Sequence, residues 1–464
     1  MKSEAALGEM RVGEIVHDLQ ISAAWLVDPV SGRQGAADVV VRDGRIEAVT
    51  WLDSTDGAES SPDGVIVAPG FVDLHAHFRE PGNEDAETVA TGCAAAGHGG
   101  FTTVCVMPNT TPALDEPGVL ARVAEAARRS GSPVRVLAHG CVSAGRAGER
   151  LAALGELGDA GVVGFSDDGS PTRSSAVLRS ALAYAGALGL PIVEHAEDLA
   201  MTDGSEANEG LVATRLGLRG WPAAAESSAV ARDLAILADV VRDEPGVRLH
   251  LTHVSTREAL DLVRRAKAAG LPVTCDVTPH HLALTDEWVG GSRSWAWEAA
   301  GERDAPPYDS SLRVNPPLRS RDDAAACLVA LVDGTVDAIA TDHAPHTVVD
   351  KQVEFGLAAN GISGIETALG VVMAAVDAGA VTLARAVEAL TVGPARVLGG
   401  RFPGPIGLEV GEAADLVVLD RSDAWTVTPA ALLSLGKNSP LVGRELPGRV
   451  LLTVAQGRIA YLGD

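Results

Sequence analysis

Two histidines separated by one residue, His75 and His77, are the first residues in this sequence whose spacing points to chemistry. They follow the apolar run at residues 70–74, which predicts a buried strand. Because side chains alternate along a strand, Asp73 shares a face with both histidines, and the two imidazoles can reach one metal ion. A histidine pair that only hydrogen-bonds to the backbone fits the same spacing. The pair therefore indicates a metal site only if the chain supplies further ligands.

Further residues of metal-ligating type stand at the ends of other strand-like runs. They are Asp167 and Asp168, His195, His253, and Asp342 with His346 just beyond it. Four histidines and at least two carboxylates are the ligand count for two divalent ions that share a bridging carboxylate. Their recurrence at separate strand ends favours a metal site over structural histidines. His250, three residues before His253, is predicted to lie on the opposite strand face, under a helix.

The elements that must position these residues alternate between apolar strands and alanine-rich helices. Eight strand-like runs end near His77, Pro108, Cys141, Asp168, Glu197, Ser255, His280 and His343. Eight βα units predict an α/β fold, a (β/α)8 TIM-like barrel, in which the active site lies at the carboxyl ends of the strands. A doubly wound sheet is the alternative, but no G-x-G-x-x-G pattern opens a helix here.

Short alternating strands flank the barrel on both sides, at residues 18–68 and 405–464. Neither group alone has enough strands to bury a face, so both are expected to pair into one small composite β-sandwich domain. Residues 69–404 would form the barrel, and residues 1–17 a loosely held extension.

The composition of the 464 residues limits what the protein binds. A formal net charge of −25 argues against a nucleic-acid partner, although metal ions and arginines can still bind an anionic substrate locally. No apolar run approaches the roughly 18 residues of a membrane helix, and no signal peptide opens the chain. We therefore expect no membrane partner and a cytoplasmic location. Five dispersed cysteines predict buried, reduced thiols.

Several longer motifs of the sequence resemble those of the amidohydrolase superfamily and, within it, those of the bacterial type I dihydroorotases. The motifs are Pro69-Gly-Phe-Val-Asp-Leu-His-Ala-His-Phe-Arg-Glu-Pro-Gly82, Gly99-Gly-Phe-Thr-Thr-Val104, Met107-Pro-Asn-Thr110, Ser166-Asp-Asp-Gly169, Thr252-His-Val-Ser-Thr256, Val277-Thr-Pro-His-His-Leu282, Asn315-Pro-Pro-Leu318 and Ala340-Thr-Asp-His-Ala-Pro-His346. They cover residues from about 67 to 370, and the last two are far more specific than His-x-His alone.

This resemblance implies two Zn²⁺ ions per subunit. The implied ligands are His75, His77 and Asp342 for the first ion, and His195 and His253 for the second. In this family a strand-four residue bridges the ions, either a carboxylated lysine or an aspartate. Only Lys351, well past strand eight, lies near any strand end of the barrel. We therefore predict that Asp168 bridges the two ions together with a hydroxide, and that Asp167 faces the other way.

The resemblance also implies the reaction. The hydroxide would attack the ring amide carbonyl of dihydroorotate, and Asp342 would pass the proton to the departing nitrogen, giving N-carbamoyl-L-aspartate. The reverse direction closes the ring, as pyrimidine (UMP) synthesis requires. Arg79 is predicted to bind the substrate carboxylate, with a surface ion pair to Glu80 or Glu84 as its alternative. The other implied substrate contacts are His77, Asn109, Asn315, His346, Asn360 and Gly361.

Two segments depart from the family pattern. Asn360-Gly361 replaces the usual Phe-Gly or Pro-Gly pair, so we expect its backbone groups, and not the altered side chain, to contact the substrate ring. Residues 286–311 exceed the usual connection and contain Trp288, Trp295 and Trp297. This segment is predicted either as a lid over the site or as an insertion that packs on the surface or on a second subunit.

Two other functions fit much of the same pattern. Hydantoinases and allantoinases use this scaffold on related cyclic amides, but they resemble the branch with a carboxylated lysine. An inactive homologue that serves as a scaffold for aspartate transcarbamoylase would have lost metal ligands, whereas every ligand is present here. The sequence thus favours an active enzyme with a small-molecule substrate. We expect a homodimer, and association with aspartate transcarbamoylase is left open.

Overall fold

The computed structural model describes residues 10–52 and 64–463 of the chain. Within them the strands are β1 (Asp18–Asp28), β2 (Arg33–Arg42), β3 (Arg45–Trp51), β4 (Val65–Pro69), β5 (Phe71–Ala76), β6 (Phe101–Val106), β7 (Arg135–Ala138), β8 (Ile192–Glu194), β9 (Ala207–Asn208), β10 (Gly220–Trp221), β11 (Leu249–Leu251), β12 (Val273–Val277), β13 (Ala338–Ile339), β14 (Leu416–Thr426), β15 (Glu445–Ala455) and β16 (Arg458–Leu462). The α-helices span Val89–His98, Pro117–Ser130, Leu154–Ala160, Ser175–Ala187, Leu199–Thr202, Leu211–Leu216, Ala224–Val240, Arg257–Ala268, Pro279–Ala283, Asp286–Val289, Arg321–Val332, Val348–Lys351, Ala368–Asp377, Leu383–Leu390 and Val392–Leu398.

The central strands form a parallel barrel. Strands β5, β6 and β7 pair in one group, and β8, β11, β12 and β13 in another. Single bridges on both sides of Phe165 connect β7 to β8, and a bridge between Ala76 and His343 closes the circle. The predicted (β/α)8 barrel is therefore confirmed. Its fourth strand is reduced to the few residues around Phe165.

Burial on both sides explains why these strands are apolar. Every residue of β5 and β6 is buried, because their inner side chains fill the barrel and their outer ones meet the helices. Gly70 joins the terminal sheet to the barrel at β5. A Cβ there would lie 2.2 Å from Thr102 Cγ2, so the close approach of the two strands requires glycine.

The terminal segments build one composite sheet, in the order β16-β15-β14-β4-β1-β2-β3. It curls over, so that the β2–β3 turn at Gly44 contacts the β15–β16 turn at Gly457. Apolar side chains from both chain ends fill the space between its halves, among them Leu26, Val39 and Leu452. The strands thus form one continuous hydrogen-bonded sheet around a core of its own, and β4 leads directly into β5.

Residues 13–16 of the predicted extension are held against this sheet. Gly13 N donates to Ile459 O at 2.7 Å and Val16 N to Gly457 O at 2.9 Å, and Val16 is buried. Residues 1–9 of that extension lie outside the described residues. All five cysteines are buried and free, as predicted. Across the described ranges, every helix is too short or too polar to span a membrane.

Candidate metal centre and substrate pocket

The barrel's first and eighth strands bring three predicted ligands together. His75 is the fifth residue of β5, and His77 follows the end of that strand. Their Nε2 atoms lie 3.2 Å apart, and Asp342 Oδ1 lies 3.0 Å from His77 Nε2 and 3.4 Å from His75 Nε2. All three side chains are buried at the carboxyl end of the barrel, where the sequence predicts the site.

Asp168 joins this group to the other two histidines. Its Oδ2 lies 3.1 Å from His75 Nε2, while its Oδ1 lies 3.3 Å from His253 Nε2 and 3.4 Å from His195 Nδ1. His195 Nδ1 and His253 Nε2 are themselves 3.0 Å apart. The neighbouring Asp167 turns away, as predicted, and accepts a hydrogen bond from Ser143 N. One carboxylate thus presents an oxygen to each pair of histidines.

These residues fit two divalent metal ions. Zinc bonds of about 2.0–2.1 Å in a tetrahedral site place neighbouring ligand atoms about 3.4 Å apart, and the separations above range from 3.0 to 3.4 Å. The donors are imidazole nitrogens and carboxylate oxygens, the ligands expected for such ions. The bridging role of Asp168 stays a prediction.

A cavity of about 180 Å³ opens beside this cluster. Its lining includes the seven residues predicted to contact substrate, namely His77, Arg79, Asn109, Asn315, His346, Asn360 and Gly361. Besides His77, four further predicted metal ligands also face it, namely Asp168, His195, His253 and Asp342. A small molecule in the cavity would therefore touch the metal ligands and these polar groups together.

Known proteins of similar sequence identify the family of this chain. The chain is 49% identical to a dihydroorotase of Anaeromyxobacter dehalogenans over 96% of this chain and 98% of the relative. It is 44% identical to a dihydroorotase of Pelotomaculum thermopropionicum over 95% and 98%. The chain belongs to the dihydroorotase family. The family model described as Dihydro-orotase-like matches residues 64–259. The chain is accordingly a cyclic amide hydrolase of the amidohydrolase superfamily.

A solved structure shows the same architecture. The L-hydantoinase (dihydropyrimidinase) of Arthrobacter aurescens superposes with a TM-score of 0.78 and 25% identity, over 97% of both chains. The dihydroorotase family thus shares its barrel and terminal sheet with an enzyme named for other cyclic amides.

Three site residues of this family member have strained backbones. The φ angles of Arg79, His253 and Asp342 are 58°, 39° and 45°, in the left-handed region that side chains with a Cβ rarely adopt. The left-handed turn at His253 also bears on the predicted position of His250.

That prediction was wrong. His250 is not covered by a helix, because the turn at His253 breaks the alternation of β11. His250 instead lies inside the barrel, with Nε2 donating to Asp276 Oδ2 at 2.8 Å.

Charged and polar groups behind the ligands orient them. Thr252 Oγ1 lies 2.7 Å from His75 Nδ1 and donates to Asp276, which also accepts from His253 N. His77 Nδ1 donates to Asn109 Oδ1 at 2.9 Å. Such partners fix which ring nitrogen remains free for a metal. Sequence reasoning missed Thr252 and Asp276, although both share a face with His250 on neighbouring strands.

The cluster is electrostatically suited to a cation. Burial raises the pKa of the Asp168 and Asp342 carboxyls, but the adjacent histidines, His75 first, outweigh it and hold both pKa values below the ordinary range. Burial lowers the pKa of His75, and the charges of Asp168 and Asp342 reverse this and raise it to about 9. Both carboxylates are therefore ionised at neutral pH, and they stabilise positive charge between the imidazoles.

Arg79 points into the cavity and not to the surface. Glu80 pairs with Arg129 at 3.2 Å, and Glu84 accepts from Gly82 N, so the alternative ion pair of Arg79 is wrong. Its Nε donates to Pro345 O at 3.1 Å. Within the described ranges its guanidinium has no carboxylate partner closer than 4 Å. It is a half-buried cation at the rim of the metal cluster.

The loop at Asn360 and Gly361 lines the cavity, but its backbone groups already have partners. His346 Nε2 donates to Asn360 O at 2.7 Å, and Gly361 N donates to Arg313 O at 2.9 Å. Gly361 O accepts from Lys351 Nζ and Asn438 Nδ2. A substrate contact through these backbone groups stays a prediction, and it would have to share these bonds.

The segment at residues 286–311 contributes no residue to the cavity lining. Trp288 is fully buried, and Arg444 packs over the Trp295 ring at 3.8 Å from its centroid. Trp295 and Trp297 stack with ring centroids 5.4 Å apart. The structure therefore favours the second predicted role, a packed insertion, which here lies against the C-terminal segment. It does not favour the lid.

Proposed function

We propose that this chain catalyses the reversible conversion of N-carbamoyl-L-aspartate to (S)-dihydroorotate with two Zn²⁺ ions, in pyrimidine synthesis. One observation carries the proposal. Asp168 directs one oxygen to His75 and the other to His195 and His253, beside a cavity that a half-buried arginine also lines. The identity of up to 49% with proteins named dihydroorotase supports the same reaction.

The first ion would be held by His75, His77 and Asp342, the second by His195 and His253, with Asp168 shared between them. Divalent ions in such a site supply Lewis acidity, which polarises a carbonyl oxygen and lowers the pKa of water. The chain's own contribution is the fixed ligand geometry and a buried site of low dielectric constant, where charge–charge interactions are strong.

Asp342 is the group placed to move the proton. Its carboxylate is ionised at neutral pH and lines the cavity next to His77, so it can accept a proton from the attacking water. It would then deliver that proton to the ring nitrogen as the amide bond breaks. In ring closure the same carboxylate takes the proton from the ureide nitrogen.

Arg79 selects the substrate by its charge. Dihydroorotate and N-carbamoyl-L-aspartate carry a carboxylate that is absent from simple hydantoins, and a guanidinium binds a carboxylate through two parallel N–H bonds. The half-buried Arg79 guanidinium lines the cavity and is close to His346, whose pKa burial lowers to about 4. His346 is therefore neutral at pH 7 and leaves Arg79 as the cation that faces the substrate.

The second candidate is hydantoin opening, which the structural likeness to the L-hydantoinase favours. The lysines argue against a carboxylated-lysine site of that kind. Lys267 pairs with Asp337, and Lys351 and Lys437 donate to backbone carbonyls. Among the described residues no lysine lies beside Asp168, which supports Asp168 as the bridging ligand.

A direct comparison of substrates tests the proposal. The zinc-loaded protein is given dihydroorotate, N-carbamoyl-L-aspartate and hydantoin, and ring opening or closure is followed. We expect interconversion of the first two, with kcat/KM for dihydroorotate exceeding that for hydantoin. Turnover of hydantoin alone, or turnover of none of the three compounds, would overturn the proposal.

We also expect the protein to be a homodimer. Light scattering of the protein as it elutes from a size-exclusion column measures its mass in solution.

A further inference from the structure

Glu197 is a buried carboxylate that neither the metal ligands nor the predicted substrate contacts include. It lies two residues after His195, beyond the end of β8, and it is 6% exposed. Three side chains donate hydrogen bonds to it, from His195, Asn315 and Thr202. All three bonds run toward the carboxylate, so both of its oxygens accept from a donor.

The first of these bonds fixes the tautomer of His195. His195 Nε2 lies 2.9 Å from Glu197 Oε2, and a carboxylate can only accept, so Nε2 carries the hydrogen. Nδ1 is then left with its lone pair, and it is Nδ1 that lies 3.4 Å from Asp168 Oδ1 and 3.0 Å from His253 Nε2. The bond to Glu197 therefore directs the free nitrogen at the metal position.

The second bond fixes the amide of Asn315. Its Nδ2 donates to the same Oε2 of Glu197 at 3.2 Å, which turns Oδ1 to the opposite side. That Oδ1 is buried and has no hydrogen-bond partner, while Asn315 lines the substrate cavity. A buried acceptor without a partner costs free energy unless a ligand supplies the donor.

We propose that Glu197 is a positioning residue that sets His195 for the metal and Asn315 for the substrate at the same time. Through Glu197, Asn315 Oδ1 becomes an acceptor for a ring or ureide N–H, a donor that both partners of the reaction possess. This inference rests on the proposed function, because it assigns the direction in which two residues of that site face. It also predicts that a single substitution weakens both metal and substrate binding.

Glu226 provides a matched control. It is also a buried glutamate, 4% exposed, and it accepts hydrogen bonds from the backbone and hydroxyls of Ser255 and Thr256. It contacts neither a predicted metal ligand nor a predicted substrate contact. Its replacement reports what the loss of a buried carboxylate alone does to the fold.

The test measures zinc affinity and kinetics in parallel. Metal-free wild type and the variants Glu197→Leu, Glu197→Gln, Asn315→Ala and Glu226→Gln are titrated with Zn²⁺ against a chelating dye, and KM for dihydroorotate is measured after loading. Circular dichroism checks that each variant is folded. Loss of a group that orients a ligand weakens metal binding by about 10–100-fold.

We expect Glu197→Leu to show this loss for one of the two ions together with a higher KM. Glu197→Gln should fall between it and wild type, since its oxygen can still accept while the Thr202 hydroxyl turns to accept from the new amide. Asn315→Ala should raise KM alone, and Glu226→Gln should change neither. Glu197→Leu with wild-type zinc affinity and KM would overturn the inference. A wild type without zinc binding or turnover would instead overturn the proposed function.

Discussion

At the scale of single residues, Asp342 and Arg79 line the same cavity with opposite charges and have different proposed roles, proton transfer and substrate binding. Asp342 lies in the left-handed region with φ of 45°, and Arg79 with φ of 58°. Such backbone strain costs about 1–3 kcal/mol per residue and persists where surrounding structure holds it. The carboxylate is thereby set against His77, and the guanidinium is set into the cavity without a carboxylate of its own in the described chain.

Replacing Asp342 by asparagine should stop the reaction and spare the fold. The amide has nearly the same shape but cannot accept and deliver the proton, a role that contributes about 10²–10⁴-fold to a rate. We expect kcat to fall by about 10³-fold while the thermal midpoint stays near that of wild type. Measurement of kcat and of circular dichroism against temperature checks this. A kcat within tenfold of wild type would refute the role of Asp342.

Arg79→Gln should weaken the binding of carboxylate-bearing substrates. Hydrogen bonds to charged groups contribute about 1.5–3 kcal/mol, which corresponds to a roughly 10–100-fold loss in kcat/KM for dihydroorotate. The matched ligand is 5,6-dihydrouracil, the same ring without the carboxylate. Its inhibition constant should be equal in the variant and wild type. Equal losses for both molecules would mean that Arg79 does not bind the carboxylate.

At the scale of elements, the strand ends were readable from the sequence because a parallel barrel gathers them on one rim. The ligand-bearing strand ends and the turn of Asp167 away from the site were predicted this way. The interior position of His250 was not, because the left-handed turn at His253 is a tertiary effect that overrides alternation. Asp276 was missed because its role depends on contacts with the neighbouring strand, and Glu197 was missed because its bond from Asn315 joins segments far apart in the sequence.

The segment between β14 and β15 was also unpredictable, since it leaves the terminal sheet to contact the barrel rim. Asn438 Oδ1 accepts from His346 N at 2.8 Å, and its Nδ2 donates to Ala344 O and Gly361 O at 3.0 Å each. Two loops that line the cavity are therefore held in place by a side chain from outside the barrel.

Asn438→Ala should loosen these loops and leave the metal cluster intact. We expect KM for dihydroorotate to rise by about tenfold or more, because bonds of about 0.5–1.5 kcal/mol each are lost. Zinc content should not change. Lys437→Met is the matched control, since the Lys437 ammonium bonds only to carbonyls of its own segment, at Leu432 and Ser434. A similar rise in KM in both variants would argue against a specific role for Asn438.

At the scale of the whole molecule, the terminal sheet and the barrel are joined through β4 and β5, and the partly buried insertion at residues 286–311 packs against the C-terminal segment. One group at that insertion makes stability depend on pH. Burial raises the pKa of Asp286 from its ordinary value of 3.8 to about 6, with its neighbours Glu287 and Asp323 adding to the effect. The folded chain therefore holds this proton more tightly than the unfolded chain does.

The direction in which stability changes with pH follows from this tighter binding of the proton by the folded chain. As pH rises from about 4 to about 6, the unfolded chain loses the Asp286 proton first, so the folded state loses stability. Asp286→Asn removes this dependence. We expect the free energy of unfolding of the variant, minus that of wild type, to increase over this window by at most about 3 kcal/mol. Urea unfolding of both proteins at several pH values measures it, and a constant difference would contradict the assignment.

The central proposal is that this chain opens and closes the dihydroorotate ring when its histidines, Asp168 and Asp342 hold two metal ions. Titration of Zn²⁺ into the metal-free protein, with dihydroorotate turnover measured at each addition, tests it most directly. The account predicts that activity rises to its maximum at two equivalents of zinc per chain. Full activity in the metal-free protein, or a maximum at one equivalent, would contradict it.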